Sequence, residues 1–256
     1  MAQSFTQKDR YTIADLRSIM ELLRAPEGCP WDRVQTHASI RRNMIEEAYE
    51  TVDAIDSGDR AAMVEELGDV LMQVVFHARI AEEDGAFTFD DVVDGVCKKL
   101  IFRHPHVFGD GKTGDDQKAI VDWEAQKKIE KTQKTQADSM RSVPRIMPAL
   151  IRSAKLQEKS ARSGVDWPSS AAALTDAAVM VDRLRVHHET DPDVRRAQWG
   201  RLLFDVVGAA RLAGVEPEET LARVSDDYIA AFARAEAHLS ENSVPTPDQL
   251  LQNLEK

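Results

Sequence analysis

The chain has little of several things that define other classes of protein. It has two cysteines, Cys29 and Cys97, in 256 residues, which excludes a disulfide framework and fits a reducing compartment. No apolar run approaches the ~18 residues of a membrane-spanning helix. The N-terminus, MAQSFTQKDR, lacks the apolar segment of a signal peptide. These absences predict a cytoplasmic protein that does not cross a membrane.

Positive charge is also scarce. The 33 Lys and Arg residues face 44 Asp and Glu residues, a net charge of −11, which argues against the broad basic surface that binds nucleic acids or anionic membranes. An anionic substrate therefore needs local cations or a metal ion. The length and the hydrophobic content of 43% are those of a globular protein with one large domain or two of modest size.

The stretch from Asn43 to Arg79 predicts two helices joined by the turn-forming cluster Asp56–Asp59. Apolar residues recur in both at steps of three and four, so each helix carries an apolar stripe. The stripes consist of Ile45, Ala48, Val52 and Ile55 in the first helix and Leu67, Val70, Leu71, Val74 and Ala78 in the second. Similar patterns over residues 11–24, 88–100 and 149–161 predict further helices.

The same two helices carry carboxylates one turn apart, Glu46, Glu47 and Glu50 in the first and Glu66 and Asp69 in the second. Like charges four residues apart destabilise a helix by about 0.2–0.5 kcal/mol per pair. If the helices pair antiparallel, as a short connection favours, the two sets converge and a divalent cation reverses the repulsion. Ligands that are all carboxylate oxygens suit Mg²⁺ or Mn²⁺ better than zinc.

Two other interpretations of the carboxylates stay open. One is a solvated acidic face, the ordinary place of a single glutamate pair. The other is a di-iron carboxylate protein, but such bundles use Glu-x-x-His pairs, whereas both sets here contain only carboxylates.

Three residues outside this stretch are candidates for substrate contacts. Trp31 ends a rigid Pro- and Gly-containing loop and is either a core residue or an aromatic wall of a ligand site. Arg103 opens RHPHVF, which is either a structural turn or a phosphate contact. Lys127 belongs to the Lys-rich helical stretch 117–136 and either reaches a phosphate or lies on a solvated face.

The second half of the chain repeats the first without its carboxylates. An offset of 132 residues places Gly200 on Gly68 and keeps the apolar positions of the second helix, but it puts Gln198 on Glu66 and Arg201 on Asp69. The apolar positions therefore specify the helical pair, and the carboxylates are extra. This comparison favours a chemical role for the carboxylates of the first half.

Six motifs, taken in order, resemble the MazG family of nucleoside triphosphate pyrophosphohydrolases. They are CPWD at Cys29–Asp32, EEAYE at Glu46–Glu50, EELGDVLMQVVFHAR at Glu65–Arg79, RHPHVF at Arg103–Phe108, WE at Trp123–Glu124 and GVDW at Gly164–Trp167. The resemblance implies two tandem all-α helical-bundle modules, a homodimer or higher oligomer, and Mg²⁺-dependent hydrolysis of a nucleoside triphosphate to monophosphate and pyrophosphate. An enzyme with this activity would control the nucleotide pool or remove unwanted nucleotides from it.

The resemblance also assigns roles. The family's metal motif falls on Glu47, Glu50, Glu66 and Asp69 as ligands of Mg²⁺, with Mn²⁺ as a substitute, while Glu46 orients or deprotonates the attacking water or holds a second ion. Trp31, Arg103 and Lys127 are weaker candidates for substrate binding. Residues 1–136 form the expected catalytic module, and residues 137–256 form a degenerate module that ends in a short tail. The alternative is a catalytically silent nucleotide-binding or regulatory helical protein.

Overall fold

The computed structural model describes residues 5–109, 135–186 and 189–237, together with residues 121, 123, 125, 126, 129 and 130. These residues form helices, turns and loops, and none of them lies in a strand, which confirms the all-α prediction. The chain divides into two compact units, Met1–Gln126 and Lys127–Lys256. This division falls before the boundary that the sequence predicts after residue 136. Within the described part of the chain, no helix has the length and apolar character needed to cross a membrane.

The first unit is built from six described α-helices and one 3₁₀ turn. They are α1 (Ile13–Arg24), the 3₁₀ turn Asp32–Val34, α2 (His37–Ile40), α3 (Asn43–Ser57), α4 (Arg60–Glu83), α5 (Phe89–Arg103) and α6 (Pro105–Phe108). Side-chain caps determine where several of these helices begin. Thr12, Thr36 and Thr88 each accept a hydrogen bond from the backbone three residues on, in a reciprocal capping box.

Helices α3 and α4 form an antiparallel hairpin around a two-residue connection. Gly58 ends α3 in the left-handed region, with φ of 69°, where a side chain would be strained. Asp59 then starts α4, because its carboxylate accepts hydrogen bonds from the backbone N–H groups of Ala61 and Ala62. This turn fixes the two helices side by side and brings their polar faces into register.

The core of the first unit lies along the C-terminal half of α4. Its buried side chains are Met20, Ile40, Val75, Phe76, Ala78, Ile80 and Phe89. The apolar stripes predicted for α3 and the first half of α4 are largely outside it. Ile45, Val52, Ile55, Leu67 and Leu71 are each 41–54% exposed, so the hairpin presents an apolar surface that the described residues of the first unit leave uncovered.

The second unit contains α7 (Gln136–Arg141), α8 (Ala149–Ala161), α9 (Ser170–Val186), α10 (Pro192–Leu212) and α11 (Pro217–Glu236). The bounds of α8 are those that the sequence predicts. Helix α9 packs along α10 as α3 packs along α4, and α8 packs against α10 from another side. The predicted C-terminal tail, residues 245–256, lies outside the described residues.

Candidate metal centre

Three carboxylates meet where the α3–α4 hairpin brings its polar faces together. Glu47 comes from α3, and Glu66 and Asp69 come from successive turns of α4. One oxygen of each lies within 4.8 Å of the others. All three residues are half-buried, so solvent screens their mutual repulsion only in part. The convergence depends on the short Gly58–Asp59 connection.

Glu50 lies beside this group without being part of the closest triad. It is exposed on α3, one turn after Glu47. Its charge raises the pKa of both Glu47 and Glu66, so it acts on residues of both helices. Four of the five carboxylates predicted as site residues are thus close enough to interact.

Burial and neighbouring negative charges disfavour the ionised forms of Glu47 and Glu66. Burial is the main cause that raises the pKa of Glu47, and the charges of Asp69 and Glu50 add to it. Burial is also the main cause of the raised pKa of Glu66, and the charges of Glu50, Glu65 and Asp69 raise it further. The charges of described residues that act on these two glutamates are all negative.

These properties fit a hard divalent cation. The donor atoms are all carboxylate oxygens, which Mg²⁺ and Mn²⁺ prefer. A cation placed among them would offset both the burial and the negative charges that raise the pKa values of Glu47 and Glu66. The arrangement does not fit the Glu-x-x-His ligand set of di-iron bundles, because the triad Glu47, Glu66 and Asp69 contains no histidine.

Gln73 is a participant that the sequence analysis missed. It is 4% exposed, and its Nε2 donates a hydrogen bond to Oε1 of Glu47 over 3.3 Å, which lowers the pKa of that glutamate against the effect of burial. Its own Oε1 is buried without a partner among the described residues. The signal was present, since Gln73 interrupts an apolar run one turn after Asp69.

Glu46 occupies a different face of α3. It is exposed and lines an open groove of about 480 Å³ together with Arg42, Tyr49, Glu50 and Asp53. Glu50 belongs both to this groove and to the surroundings of the triad. The structure thus separates Glu46 from the three converging carboxylates.

The three weaker candidates have different surroundings. Trp31 is 57% exposed, so its interpretation as a core residue is wrong and the indole is available to a ligand. Arg103 is buried at 7% exposure, and its guanidinium lies over the ring of Trp123, 5.2 Å from the ring centre. Lys127 lies outside the described residues.

Comparison with known proteins bears on the same hairpin. Residues 35–108 match the family model described as the MazG nucleotide pyrophosphohydrolase domain, a segment that contains α3, α4 and all five predicted carboxylates. The chain is also 38% identical over 242 residues to the nucleoside triphosphate pyrophosphohydrolase/pyrophosphatase MazG of Thermotoga maritima, an alignment that covers 94% of this chain and 92% of that protein. The chain belongs to the MazG family.

Other relatives extend the MazG similarity across both units. The nucleoside triphosphate pyrophosphohydrolase of Escherichia coli K12 is 34% identical over 245 residues, covering 94% of this chain and 93% of the relative. YabN of Bacillus subtilis is 40% identical over 248 residues, covering 96% of this chain and 50% of YabN. The chain thus spans half the length of YabN and nearly the full length of the Thermotoga and Escherichia proteins.

Proposed function

We propose that this MazG-family chain hydrolyses nucleoside triphosphates to the monophosphate and pyrophosphate, and that it serves control or cleaning of the nucleotide pool. The observation that carries the proposal is the meeting of Glu47, Glu66 and Asp69 oxygens within 4.8 Å. A triphosphate carries several negative charges, and a protein with a net charge of −11 binds it best through a cation. The names of the Thermotoga and Escherichia relatives support the same reaction.

Glu47, Glu66 and Asp69, with Glu50 beside them, hold Mg²⁺ in this proposal, or Mn²⁺ in its place. The ion supplies positive charge to the phosphate oxygens and lowers the pKa of water. The contribution of the protein is positioning. The hairpin fixes the carboxylates on two rigid helices, and Gln73 orients Glu47 through its 3.3 Å hydrogen bond.

Glu46 orients or deprotonates the attacking water in this proposal, or holds a second ion. Its exposure and its place in the groove beside Glu50 leave room for a substrate on that face of α3. The exposed indole of Trp31 offers a stacking surface for a base. Arg103 and Lys127 remain candidates for contacts to the leaving pyrophosphate, although the burial of Arg103 makes it a weaker one.

We also propose that the chain acts as a homodimer or higher oligomer in the cytoplasm. The uncovered apolar stripes of α3 and α4 flank the carboxylates and suit a second copy of the chain. An exposed free thiol at Cys97 fits a reducing compartment. The second candidate function is a silent nucleotide-binding or regulatory protein, favoured by one observation, namely that Gln198 and Arg201 stand in the second unit where Glu66 and Asp69 stand in the first.

The test is pyrophosphate release from a panel of ribo- and deoxyribonucleoside triphosphates, measured with Mg²⁺ and with EDTA. We expect release of pyrophosphate and monophosphate in Mg²⁺ only. Release of orthophosphate means that another bond is cut and contradicts the proposal. Nucleotide binding without turnover in either condition supports the silent alternative.

Two variants locate the activity. Glu50→Gln removes one charge beside the triad, and we expect turnover to fall at least about 100-fold, as happens when charge stabilisation of a transition state is lost. The control is Glu27→Gln, which removes the same charge from an exposed side chain in the loop after α1, away from the carboxylates of the hairpin. Unchanged turnover in Glu50→Gln would remove Glu50 from the proposed site.

A further inference from the structure

The second unit has a half-open pocket that plays no part in the carboxylate chemistry proposed for the first unit. Its volume is about 340 Å³, within the range of roughly 300–1,000 Å³ that small-molecule sites occupy. It lies between the C-terminal part of α8, the loop that carries Trp167, and the middle of α10. Leu156, Trp167 and Phe204 provide apolar walls, and Gln157, Asp166 and Arg201 provide polar groups.

The indole of Trp167 is held in place on two sides. Its Nε1 donates a hydrogen bond to Asp176 over 2.9 Å. Its six-membered ring lies against Gly208 of α10, where an added Cβ would come within 2.6 Å of a ring carbon. No residue other than glycine fits at position 208 without moving the ring. The pocket wall is therefore built by a specific loop–helix contact.

The first unit is arranged differently at the corresponding positions. The offset of 132 residues places Gly208 on Phe76, which is buried in the core of the first unit at 3% exposure. Trp31, the counterpart of Trp167 in the repeat, is 57% exposed. The second unit thus has glycine where the first unit has a phenylalanine on the helix, and its loop tryptophan packs against the helix at that glycine. The second unit is remodelled here, in addition to having lost its carboxylates.

Beside this pocket, α10 carries a positively charged side chain at a position where α4 carries a carboxylate. Arg201 stands at the position of Asp69, and Asp205 stands at the position of Gln73. The Nε–H of Arg201 donates to both oxygens of the buried Asp205, over 2.7 and 2.9 Å. The two terminal amino groups of Arg201 make no hydrogen bond among the described residues, and its side chain is 55% exposed. A guanidinium anchored in this way presents its donors to an anion.

The polar groups at the other side of the pocket are already paired. Gln157 donates to the backbone carbonyl of Phe204 over 2.8 Å, and Asp166 accepts from Arg211. Arg201 is the one cation among the described residues that line the pocket. A ligand with several anionic groups would exceed this single charge, whereas a flat ring with one anionic group satisfies both the aromatic walls and the guanidinium.

We propose that the second unit binds a nucleoside monophosphate in this pocket without a metal ion. The base lies against Trp167 and Phe204, and the phosphate accepts hydrogen bonds from Arg201. In the first unit a cation held by carboxylates would neutralise the phosphate charge, whereas in the second unit the arginine side chain binds the phosphate directly. The monophosphate is also the product proposed for the first unit, but binding in this pocket does not require that reaction.

The test is calorimetric titration of the full chain with adenosine 5′-monophosphate in EDTA. We expect one ligand per chain. The informative variant is the double substitution Arg201→Gln with Asp205→Asn, which removes the guanidinium without leaving a buried carboxylate unpaired. It should weaken binding by about tenfold or more, as loss of a charge-assisted hydrogen bond does. Gly208→Ala should weaken it as well, because the added methyl displaces Trp167.

Two controls separate this site from the metal centre. Arg196→Gln removes one exposed arginine from the same helix outside the pocket, and Glu50→Gln changes the first unit; neither should alter binding in EDTA. No heat from the wild-type chain at millimolar ligand overturns the proposal. Binding that survives the double substitution, or that is lost in Glu50→Gln, also overturns it. Pyrophosphate release in Mg²⁺, measured separately, tests the proposed function without reference to this pocket.

Discussion

Two residue positions, compared between the units, separate folding from chemistry. Asp69 and Gln73 lie one turn apart on α4, and Arg201 and Asp205 lie at the matching positions of α10. The second pair forms an ion pair, with Arg201 Nε 2.7 Å from Asp205 Oδ1, whereas Asp69 adds to the repulsion on Glu47. The helical pair forms with either arrangement. Folding therefore does not explain the unfavourable arrangement in the first unit, which supports the proposed cation site.

The raised pKa of Glu66 predicts a pH-dependent stability in the metal-free protein. A carboxyl whose pKa is raised on folding stabilises the fold while it is protonated, and that contribution is lost as the pH rises through the folded pKa. Burial and three neighbouring carboxylates raise the pKa of Glu66 above its usual 4.5. In EDTA, Glu66→Gln should therefore raise the Tm at about pH 7, and the gain should shrink as the pH falls toward about 4.5.

Thermal unfolding by circular dichroism in EDTA across this pH range is the measurement. Glu27→Gln, an exposed glutamate in the loop after α1, controls for the loss of one charge. Added Mg²⁺ should raise the Tm of the wild type and not that of Glu66→Gln, since the ion stabilises the state that binds it. A Tm gain that is equal at all pH values would show that the charge of Glu66 is not the cause.

Gln73 gives a prediction in which metal affinity and stability separate. Gln73→Leu removes the hydrogen bond to Glu47, so the Mg²⁺ concentration for half-maximal activity should rise by about 10–100-fold, the usual effect of losing a group that orients a metal ligand. Leucine also removes a buried oxygen that has no partner among the described residues, so stability should not fall. A purely structural role would lower the Tm and leave the Mg²⁺ requirement unchanged.

At the scale of the element, the α3–α4 turn depends on a glycine in the left-handed region. Gly58 has φ of 69° with open space around its Cα, so Gly58→Ala should cost about 1 kcal/mol through backbone strain alone. Gly95 also has open space but lies inside α5, so Gly95→Ala should stabilise by about 0.5–1 kcal/mol. Chemical denaturation of the two variants should therefore give shifts of opposite sign. Equal signs would contradict the assignment of the turn.

The helices themselves were predictable from local signals. The bounds of α8 follow from its periodicity, and the short connection between α3 and α4 indicated that their carboxylates converge. The choice of buried face was not predictable. Helix α3 buries Thr51 and Ala54 rather than the large residues of its stripe. Periodicity shows which face of a helix is apolar, but it does not show which surface packs against that face.

The site was predictable to a similar extent. Spacing placed Glu47, Glu66 and Asp69 on facing helices, but it did not reveal that Glu46 lies on another face of α3 or that Arg103 is buried. These facts depend on the angle at which each helix packs. The pocket at Trp167 was beyond sequence reasoning for the same reason, since it results from a contact between a loop and Gly208 that no local pattern encodes.

At the scale of the whole molecule, the uncovered stripes predict self-association. Leu67 and Leu71 on α4 are 51% and 41% exposed, and an added Cβ at Gly68, between Leu67 and Asp69, would meet no atom within 4 Å. Glycine inside a helix lowers helix stability by about 0.8–1.0 kcal/mol relative to alanine. Close approach of a second chain at this position would explain why glycine occurs there. A charge on this surface should therefore separate the subunits.

Sedimentation equilibrium tests this prediction. The wild-type chain should sediment at twice its mass of 28.6 kDa or more, and Leu71→Asp should shift it toward the monomer because a buried unpaired carboxylate strongly opposes association. Ile13→Asp is the matched control, with 44% exposure at the start of α1 and no place in the stripe. If the wild type sediments as a monomer, the stripes need another partner. If Leu71→Asp is monomeric yet retains full turnover, each chain carries a complete site and the second copy serves only to cover the apolar surface.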